Sequence, residues 1–471
     1  MGAETTAEDA GYLSQNDAIM WMVGADPLLR STIVGLIALD RVPDWETLQA
    51  RMERVTRSVP VLRQRVVNPP LHPRTQRWVW DTDFDLTYHL RRVRLPEPGH
   101  FADLLQFAAT VAEGGLDPAR PLWEFTLVEG VHGLADTDGE AAVFVMKAHH
   151  VVTDGIGSVQ LAAHLFDFEP DPDGSKIPPV PADGPVSVPS AFELWVDALG
   201  HDAAMLAEAG RSGAKGVLPA LGRAVRDPRG AVADAADLVA SVGRAVAPVR
   251  TRLSPVMTER QMSRHFDVID VPLERLHAAG DAAGGTVNDA FLAGITGALR
   301  RYHEHHGESV DELRVAMPIS LRTAKHEAGG NHVTVMRFKV PIGADPASQM
   351  QDLDAVAAKI RAEKSLPHTE SIAGVLNLMP SAVLGSMLKR IDFLASNVPG
   401  VETPMYLLGA RVLAYYPFGP TAGSSVNFTL MSYVGNCYIG VNTDTSAIPD
   451  PDVFMRCVNE GFDEVVALAE S

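Results

Sequence analysis

The chain is poor in cysteine and in positive charge, and both scarcities exclude classes of protein. Its 471 residues include two cysteines, Cys437 and Cys457, with neither a CxxC pair nor a secretory leader. We therefore expect two reduced, packed thiols in a cytoplasmic protein. The net charge is −19, with 59 acidic against 40 basic residues. Nucleic-acid binding needs concentrated positive charge, so no nucleic-acid partner is expected.

Long apolar runs are also missing. An uncharged stretch of 18 residues, 371–388, contains a proline, an asparagine and three serines. Such a stretch favours core helices or an acyl-facing surface over a transmembrane helix. Hydrophobic residues make up 46% of the chain and charged residues 21%, a globular composition with enough apolar material for two cores.

Strand-like and helix-like patterns alternate along the chain, which predicts an α/β fold. Apolar residues three or four apart predict helices at 45–58, at 287–303 and from Pro451 onward. Strands are expected at 122–129 and 141–148, and a hairpin around Val434-Gly435-Asn436.

A segment dense in proline and aspartate, 166–190, is the clearest break in the chain. We predict a first lobe at 1–168, a Pro-rich linker and helical crossover at 169–262, and a second lobe at 263–471. Within the crossover, 211–253 carries eight basic and three acidic residues, a balance of +5 that opposes the charge of the whole chain.

The stretch VFVMKAHHVVTDGIG places His149 and His150 where a buried strand ends, followed by Asp154 and Gly155. A neutral imidazole can take a proton from an alcohol near pH 7. Asp154 is expected to cap the next helix or to pair with an arginine, and Gly155 permits close backbone passage. The alternative is a buried structural histidine pair beside a helix-capping aspartate.

HHVVTDG resembles the HHxxxDG signature of the acyltransferase superfamily that includes chloramphenicol acetyltransferases and peptide-synthetase condensation domains. Other segments narrow the resemblance to the wax ester synthase/diacylglycerol acyltransferase family. These are LSQNDAIMW, ARPLWEFTLVEG, TVNDAFLAGITGALRRY, MPISLR, GGNHV and SNVPG, which follow one another in the family's order.

The resemblance implies two chloramphenicol-acetyltransferase-like lobes with an active-site tunnel between them. It implies that His150 is the general base and that His149, Asp154 and Gly155 shape the motif. It also implies a structural block formed by Pro121, Leu122 and Trp123. A developing oxyanion needs hydrogen-bond donors.

The first candidates for donating a hydrogen bond to that oxyanion, or for positioning the substrate, are Asn288 and Asp289 of the Asn-Asp block. Ser396 and Asn397 are the next candidates. Asn288 is equally explained as a helix N-cap.

The implied activity is transfer of a long-chain acyl group from acyl-CoA, as a substrate, to diacylglycerol or a long-chain alcohol. The products would be triacylglycerol or wax ester. No cofactor and no metal are expected, and the His303–His306 cluster is interpreted as a solvated helix end. No G-x-S-x-G occurs, which favours direct attack without an acyl-enzyme. The protein would meet its lipids peripherally, at the inner membrane or at lipid droplets.

Two alternatives stay open: a condensation-type acyltransferase that uses a carrier-protein thioester, and a non-catalytic lipid-binding or lipid-droplet protein. Two departures from the family pattern concern the acceptor. The chain reads RSTIVG where the family has a Met-His pair, and Val401 follows SNVPG in place of a second proline.

Overall fold

The computed structural model describes residues 11–69, 76–134, 137, 140–153, 156–171, 189–201, 252–320, 333–364 and 389–470. Within these ranges the chain forms two six-stranded sheets covered by helices, and a small two-stranded sheet. The mixed α/β, two-lobed architecture predicted from the sequence is confirmed. Among the helices of these ranges, none is long and apolar enough to cross a bilayer.

The first sheet is antiparallel except between its last two strands. Its strands in spatial order are β11 (Tyr406–Leu407), β12 (Ala410–Phe418), β1 (Thr32–Leu39), β6 (Ala141–His149), β5 (Trp123–Val131) and β4 (Leu90–Arg94). The small sheet pairs β2 (Gln64–Val67) with β3 (Arg77–Trp80). The helices are α1 (Gln15–Val23), α2 (Trp45–Ser58), α3 (Leu86–His89), α4 (Phe101–Glu113), α5 (His150–Thr153) and α6 (Ile156–Leu165).

Strand β12 comes from the last quarter of the chain but lies in the first sheet. It pairs antiparallel with β1, from Val34 opposite Phe418 to Leu39 opposite Val412. The sequence-based division assigned 263–471 to the second lobe and did not anticipate that 406–418 would return to the first. The alternation of apolar and polar residues can indicate that β12 is a strand. It does not specify the strand with which β12 pairs.

The second sheet has mixed strand directions. Its strands in spatial order are β7 (Arg264–Pro272), β14 (Asn436–Asp444), β13 (Val426–Tyr433), β10 (Phe393–Val401), β8 (Glu312–Ser320) and β9 (Val333–Pro341). Its helices are α7 (Leu273–Ala282), α8 (Val287–His305), α9 (Pro346–Lys364) and α10 (Pro451–Ala467).

The predicted hairpin is confirmed as β13 and β14. Its two turn residues, Val434 and Gly435, have φ of 46° and 81°, as a two-residue turn between twisted strands requires.

Aromatic stacking joins the two lobes. The rings of Phe266 on β7 and Phe418 on β12 are stacked with centroids 4.0 Å apart, and helix α4 lies against β7. Cys437 and Cys457 are free and buried in the second lobe, as expected for packed thiols.

The interpretation of the His303–His306 cluster as a solvated helix end was wrong for His303. Its side chain is fully buried, with Nε2 2.8 Å from the Ser254 hydroxyl and Nδ1 2.7 Å from the Leu299 carbonyl. The carbonyl can only accept, so Nδ1 carries the proton and Nε2 accepts from Ser254.

Several sequence predictions lie outside the described residues. These include Asp154 and Gly155, the uncharged stretch 371–388, most of the linker and most of the basic tract 211–253.

Candidate active site

The backbone of the histidine pair is held between two neighbouring strands. Strand β6 ends at His149 and helix α5 begins at His150. The His149 N–H donates to the Leu122 carbonyl at 2.9 Å, and the His150 N–H donates to the Ser31 carbonyl at 2.8 Å. The backbone N–H groups of the two histidines therefore bond to the residues that directly precede the strands on opposite sides of β6. These bonds fix the backbone positions from which the two imidazole rings project.

The His149 ring is buried. Its side of the sheet faces α1, where Trp21 meets it edge-on with ring centroids 5.8 Å apart, and Nδ1 accepts from the Val151 N–H at 3.3 Å. Burial, together with the smaller effect of the neighbouring His150, lowers the pKa of His149 to about 4. His149 is thus neutral at pH 7, with its proton on Nε2. His150 is half-buried and keeps some access to the surroundings.

The Pro-Leu-Trp block supports the strand next to the motif. Trp123 is fully buried, and its indole N–H donates to the Leu62 carbonyl at 2.8 Å. Its ring stacks on His89 with centroids 4.6 Å apart, while the Leu122 carbonyl holds His149. These contacts are those of a packing unit that sets the position of the histidine pair.

A buried ion pair close to the motif was missed by sequence reasoning. Lys147 is 2% exposed, and its Nζ lies 3.5 Å from Glu124 Oε2 and 3.5 Å from the Gly115 carbonyl. Because alternate residues of a strand share a face, Lys147 and His149 point to the same side. Burial lowers the pKa of Lys147, against the attraction of Glu124. A lysine inside the apolar run VFVMKA was the available signal.

The Asn-Asp block begins helix α8 with a capping box. Thr286 is the N-cap: its hydroxyl accepts from the Asp289 N–H at 3.3 Å, and Asp289 Oδ2 accepts from the Thr286 N–H at 2.9 Å. Asp289 is 4% exposed. The N-cap explanation for Asn288 was therefore wrong, because Thr286 occupies that position. Asn288 lies in the first turn and is half-buried.

The two candidates on β10 point to opposite faces of the second sheet. Ser396 lies opposite Thr429 of β13 in the parallel register, and Asn397 lies opposite Leu430. Leu430 belongs to the apolar core of the lobe, whereas Thr429 belongs to a polar network. Neighbouring strand residues diverge, so Ser396 and Asn397 cannot both approach one reacting atom.

That polar network connects the lobes next to the histidine pair. The Gly419 N–H donates to Thr429 Oγ1 at 3.1 Å, and Asn442 Nδ2 donates to the Gly419 carbonyl at 2.8 Å. Gly419 directly follows β12, whose partner β1 places Thr32 opposite His149. Ser396 thus lies on the sheet face that meets the motif's lobe. A cavity of about 40 Å³ between the lobes is lined there by residues that include Thr32 and Asn442.

The two differences from the family pattern, RSTIVG and Val401, lie in different parts of the structure. Ser31 and Thr32, within RSTIVG, border the motif directly, whereas Val401 ends β10 and is exposed. Within the described ranges, no cluster of three metal-ligating side chains occurs.

Comparison with known proteins identifies relatives over nearly the whole chain. The model of the wax ester synthase/diacylglycerol acyltransferase catalytic domain matches residues 12–291, and that of the WS/DGAT C-terminal domain matches 329–465. A Mycobacterium tuberculosis H37Rv protein, provisionally named as a diacylglycerol O-acyltransferase, is 36% identical over 461 residues, covering 96% of this chain and 91% of that protein.

Solved structures share the fold. The wax ester synthase/diacylglycerol acyltransferase from Marinobacter aquaeolei VT8 superposes with a TM-score of 0.63 at 21% identity, covering 98% of this chain and 100% of that one. A starter condensation domain of rhizomide synthetase, in complex with C8-CoA and Leu-SNAC, gives a TM-score of 0.59 at 13% identity, covering 100% and 97%.

Proposed function

The chain belongs to the wax ester synthase/diacylglycerol acyltransferase family, and we propose that it transfers a long-chain acyl group from acyl-CoA to a lipid hydroxyl. The acceptor is diacylglycerol, a long-chain alcohol, or both. The observation that carries the proposal is the histidine pair at the end of β6, where His149 is neutral and buried and His150 is half-buried beside the junction of the lobes.

In the proposed reaction His150 removes the proton of the acceptor hydroxyl as its oxygen attacks the thioester carbonyl carbon. The carbonyl pair of electrons moves to oxygen, and this oxyanion needs donors such as Asn288 or Ser396. Collapse re-forms the carbonyl and breaks the carbon–sulfur bond. The departing thiolate takes the proton from His150, which returns to its neutral form. Two bound substrates and one base suffice, so no acyl-enzyme is required.

Family membership favours this proposal over the two alternatives. The condensation domain described above shares the fold at 13% identity, so the fold alone does not separate a CoA thioester from a carrier-protein thioester. The matched family model and the names of the mycobacterial relatives favour a lipid acceptor. A lipid-binding protein without turnover would have no need of the ordered histidine pair.

The decisive measurement is thiol release by the purified full-length protein. Palmitoyl-CoA is supplied with dioleoylglycerol, monooleoylglycerol or hexadecanol, and the lipid products are separated and identified. We expect free CoA and an ester product in equal amounts with at least one acceptor. Turnover only with a palmitoyl-carrier protein would assign the condensation-type alternative, and lipid binding without any thiol release would assign the non-catalytic one.

The role of His150 is tested by substitution. His150→Ala should lower kcat by about 10²- to 10⁴-fold, as loss of a general base does, without loss of folded protein. His277→Ala is a matched control, since His277 lies on the exposed surface of α7. A folded His150→Ala variant with full turnover would remove His150 from the mechanism.

A further inference from the structure

A cavity away from the histidine pair lies at the other end of the contact between α4 and β7. Its volume is about 440 Å³, within the range of ligand-binding clefts. The first lobe contributes Phe101, the loop at 133–134 and Tyr416, and the second contributes the end of β7 and one side of α10.

Among the described strands, β7 lies at the edge of the second sheet, and the contacts at its two ends show which of its backbone groups face outward. Ser263 accepts from the Thr445 N–H, and the Leu273 N–H donates to the Gly435 carbonyl. The odd-numbered residues between them therefore pair with β14, and the even-numbered residues direct their N–H and C=O groups outward. Arg264 agrees, because its N–H donates outward to Glu113 Oε1 at 2.6 Å.

The outward groups of β7 meet two different environments. Glu113 of α4 satisfies the N–H of Arg264 at the start of the strand. Val268 and Asp270 line the cavity at the other end. Within the described part of the chain, no hydrogen bond reaches the outward backbone groups of these two residues. Two residues of strand edge, about 7 Å apart, thus face an open cleft.

The walls of the cleft restrict what could pair with this edge. Asp270 and Asp463 contribute carboxylates, and Phe101 and Phe462 contribute apolar surface. Among the described residues that line the cleft there is no lysine or arginine. Asp270 also accepts from the Tyr416 hydroxyl at 3.0 Å, which holds its carboxylate in place. This charge disfavours the phosphates of CoA and anionic lipid headgroups.

We propose that the β7 edge is a docking site for an extended peptide segment of a partner protein, bearing lysine or arginine next to apolar residues. The segment adds one strand to the second sheet, with main-chain bonds to Val268 and Asp270. Its cations pair with Asp270 and Asp463, and its apolar side chains contact Phe101 and Phe462. A second copy of this chain would bring the same carboxylates, Asp270 and Asp463, and the same net charge of −19 to the contact, which like-charge repulsion opposes.

The test uses fluorescent peptides on the full-length protein. The pentapeptide Val-Lys-Val-Lys-Val-amide, with a fluorophore on its N-terminus, should bind at least tenfold more tightly than its Val-Glu-Val-Glu-Val counterpart, measured by fluorescence anisotropy. The double variant Asp270→Asn, Asp463→Asn should reduce this preference to less than threefold. Equal binding of both peptides to the unmodified protein would overturn the proposal.

N-methylated peptides test the strand pairing without altering the protein. Methylating the amides on one edge of the peptide should weaken binding at least tenfold, while methylating the other edge should change it less than threefold. Hydrogen exchange at Val268 and Asp270 should slow in the complex. Equal effects of the two methylation patterns, or unchanged exchange, would contradict strand addition.

A proline variant separates a peptide partner from a second copy of the chain. Proline is tolerated on a strand edge where its missing N–H faces outward, so Val268→Pro removes one docking donor and no sheet bond. Peptide binding should fall at least tenfold, with the mass of the protein by light scattering unchanged. A dimer that Val268→Pro dissociates would overturn the proposal. If this variant does not fold, the N-methylated peptides still test strand pairing on the unmodified protein.

Discussion

His149 and His150 are adjacent in the chain, and their surroundings give them different chemical properties. The ring of His149 is enclosed by Trp21 and the turn at Val151, whereas the ring of His150 is half-buried. A buried neutral imidazole stabilises structure only while it stays neutral. His149 therefore positions the loop, and His150 is the residue proposed to accept a proton.

The depressed pKa of His149 predicts acid sensitivity. Its folded-state pKa is about 4 against an ordinary 6.5, so the unfolded chain binds this proton more tightly. Stability is then fully present above about pH 6.5 and is lost as the pH falls towards 4. Between pH 7.5 and 5.0 His149 should contribute a loss of about 2 kcal/mol.

Urea unfolding of His149→Gln and of wild type at both pH values measures this contribution. The variant should lose about 2 kcal/mol less than wild type between the two conditions, whereas His277→Gln should behave like wild type. Parallel pH dependence in wild type and His149→Gln would show that the ring titrates normally in the folded protein.

Individual residues were predictable where a motif specified them and unpredictable where the surroundings did. The histidine pair and the Pro-Leu-Trp block carry their own signature. Burial of Lys147 beside Glu124 depends on a loop after α4, and burial of His303 depends on Ser254, 49 residues away. A sequence window contains neither partner.

The start of helix α8 combines structural and proposed catalytic residues within one turn. Asp289 accepts from both the N–H and the hydroxyl of Thr286. Asn288 lies between them in sequence, half-buried and adjacent to the free N–H groups of the helix start. The capping box fixes the place from which the Asn288 amide projects.

Two substitutions in this turn should have opposite signatures. Asp289→Ala removes half of the capping box and should lower the free energy of unfolding by about 1 kcal/mol. Asn288→Ala should lower kcat by about 10²- to 10³-fold, as loss of an oxyanion donor does, with the unfolding midpoint nearly unchanged. Unfolding curves and thiol-release assays on the same preparations check both. A folded Asn288→Ala protein with wild-type kcat would leave Ser396 as the remaining donor on the sheet face near the motif.

Elements with a strong local pattern were predicted closely. The helix at 45–58 matches α2 to the residue, because Leu48, Met52 and Val55 form one buried stripe. Strands β10 and β12 were not predicted as such. Both pair with partners that are distant in sequence, and their alternation is interrupted by Pro399 and Pro417.

At the scale of the whole molecule, the proposed acyl transfer to a lipid hydroxyl requires the chain to reach a lipid surface. The chain carries a net charge of −19, which opposes binding to an anionic membrane, yet 211–253 carries +5 with interleaved apolar residues. Most of this tract lies outside the described residues, and an ordinary helical crossover would have the same composition. Each basic residue near an anionic surface contributes about 1 kcal/mol, so a few suffice for reversible attachment.

Replacing Arg223, Arg226 and Arg229 by glutamine should weaken sedimentation with anionic liposomes and slow the acylation of dispersed long-chain acceptors. Acylation of a short soluble alcohol should stay normal. The same three positions changed to lysine keep the charge and should retain liposome binding. Unchanged sedimentation of the glutamine variant would show that the tract is structural.

The return of β12 to the first sheet has a consequence for biosynthesis. Strand β1 leaves the ribosome early, but its partner is complete only when Phe418 has emerged. Until then the nascent first lobe exposes an open strand edge that can pair with other chains. A fragment ending at 262, although it contains the histidine pair and both strands beside it, would keep that edge permanently. The sheet of the first lobe therefore lacks one of its strands until residue 418 has been made, and folding of that lobe can be completed only near the end of translation.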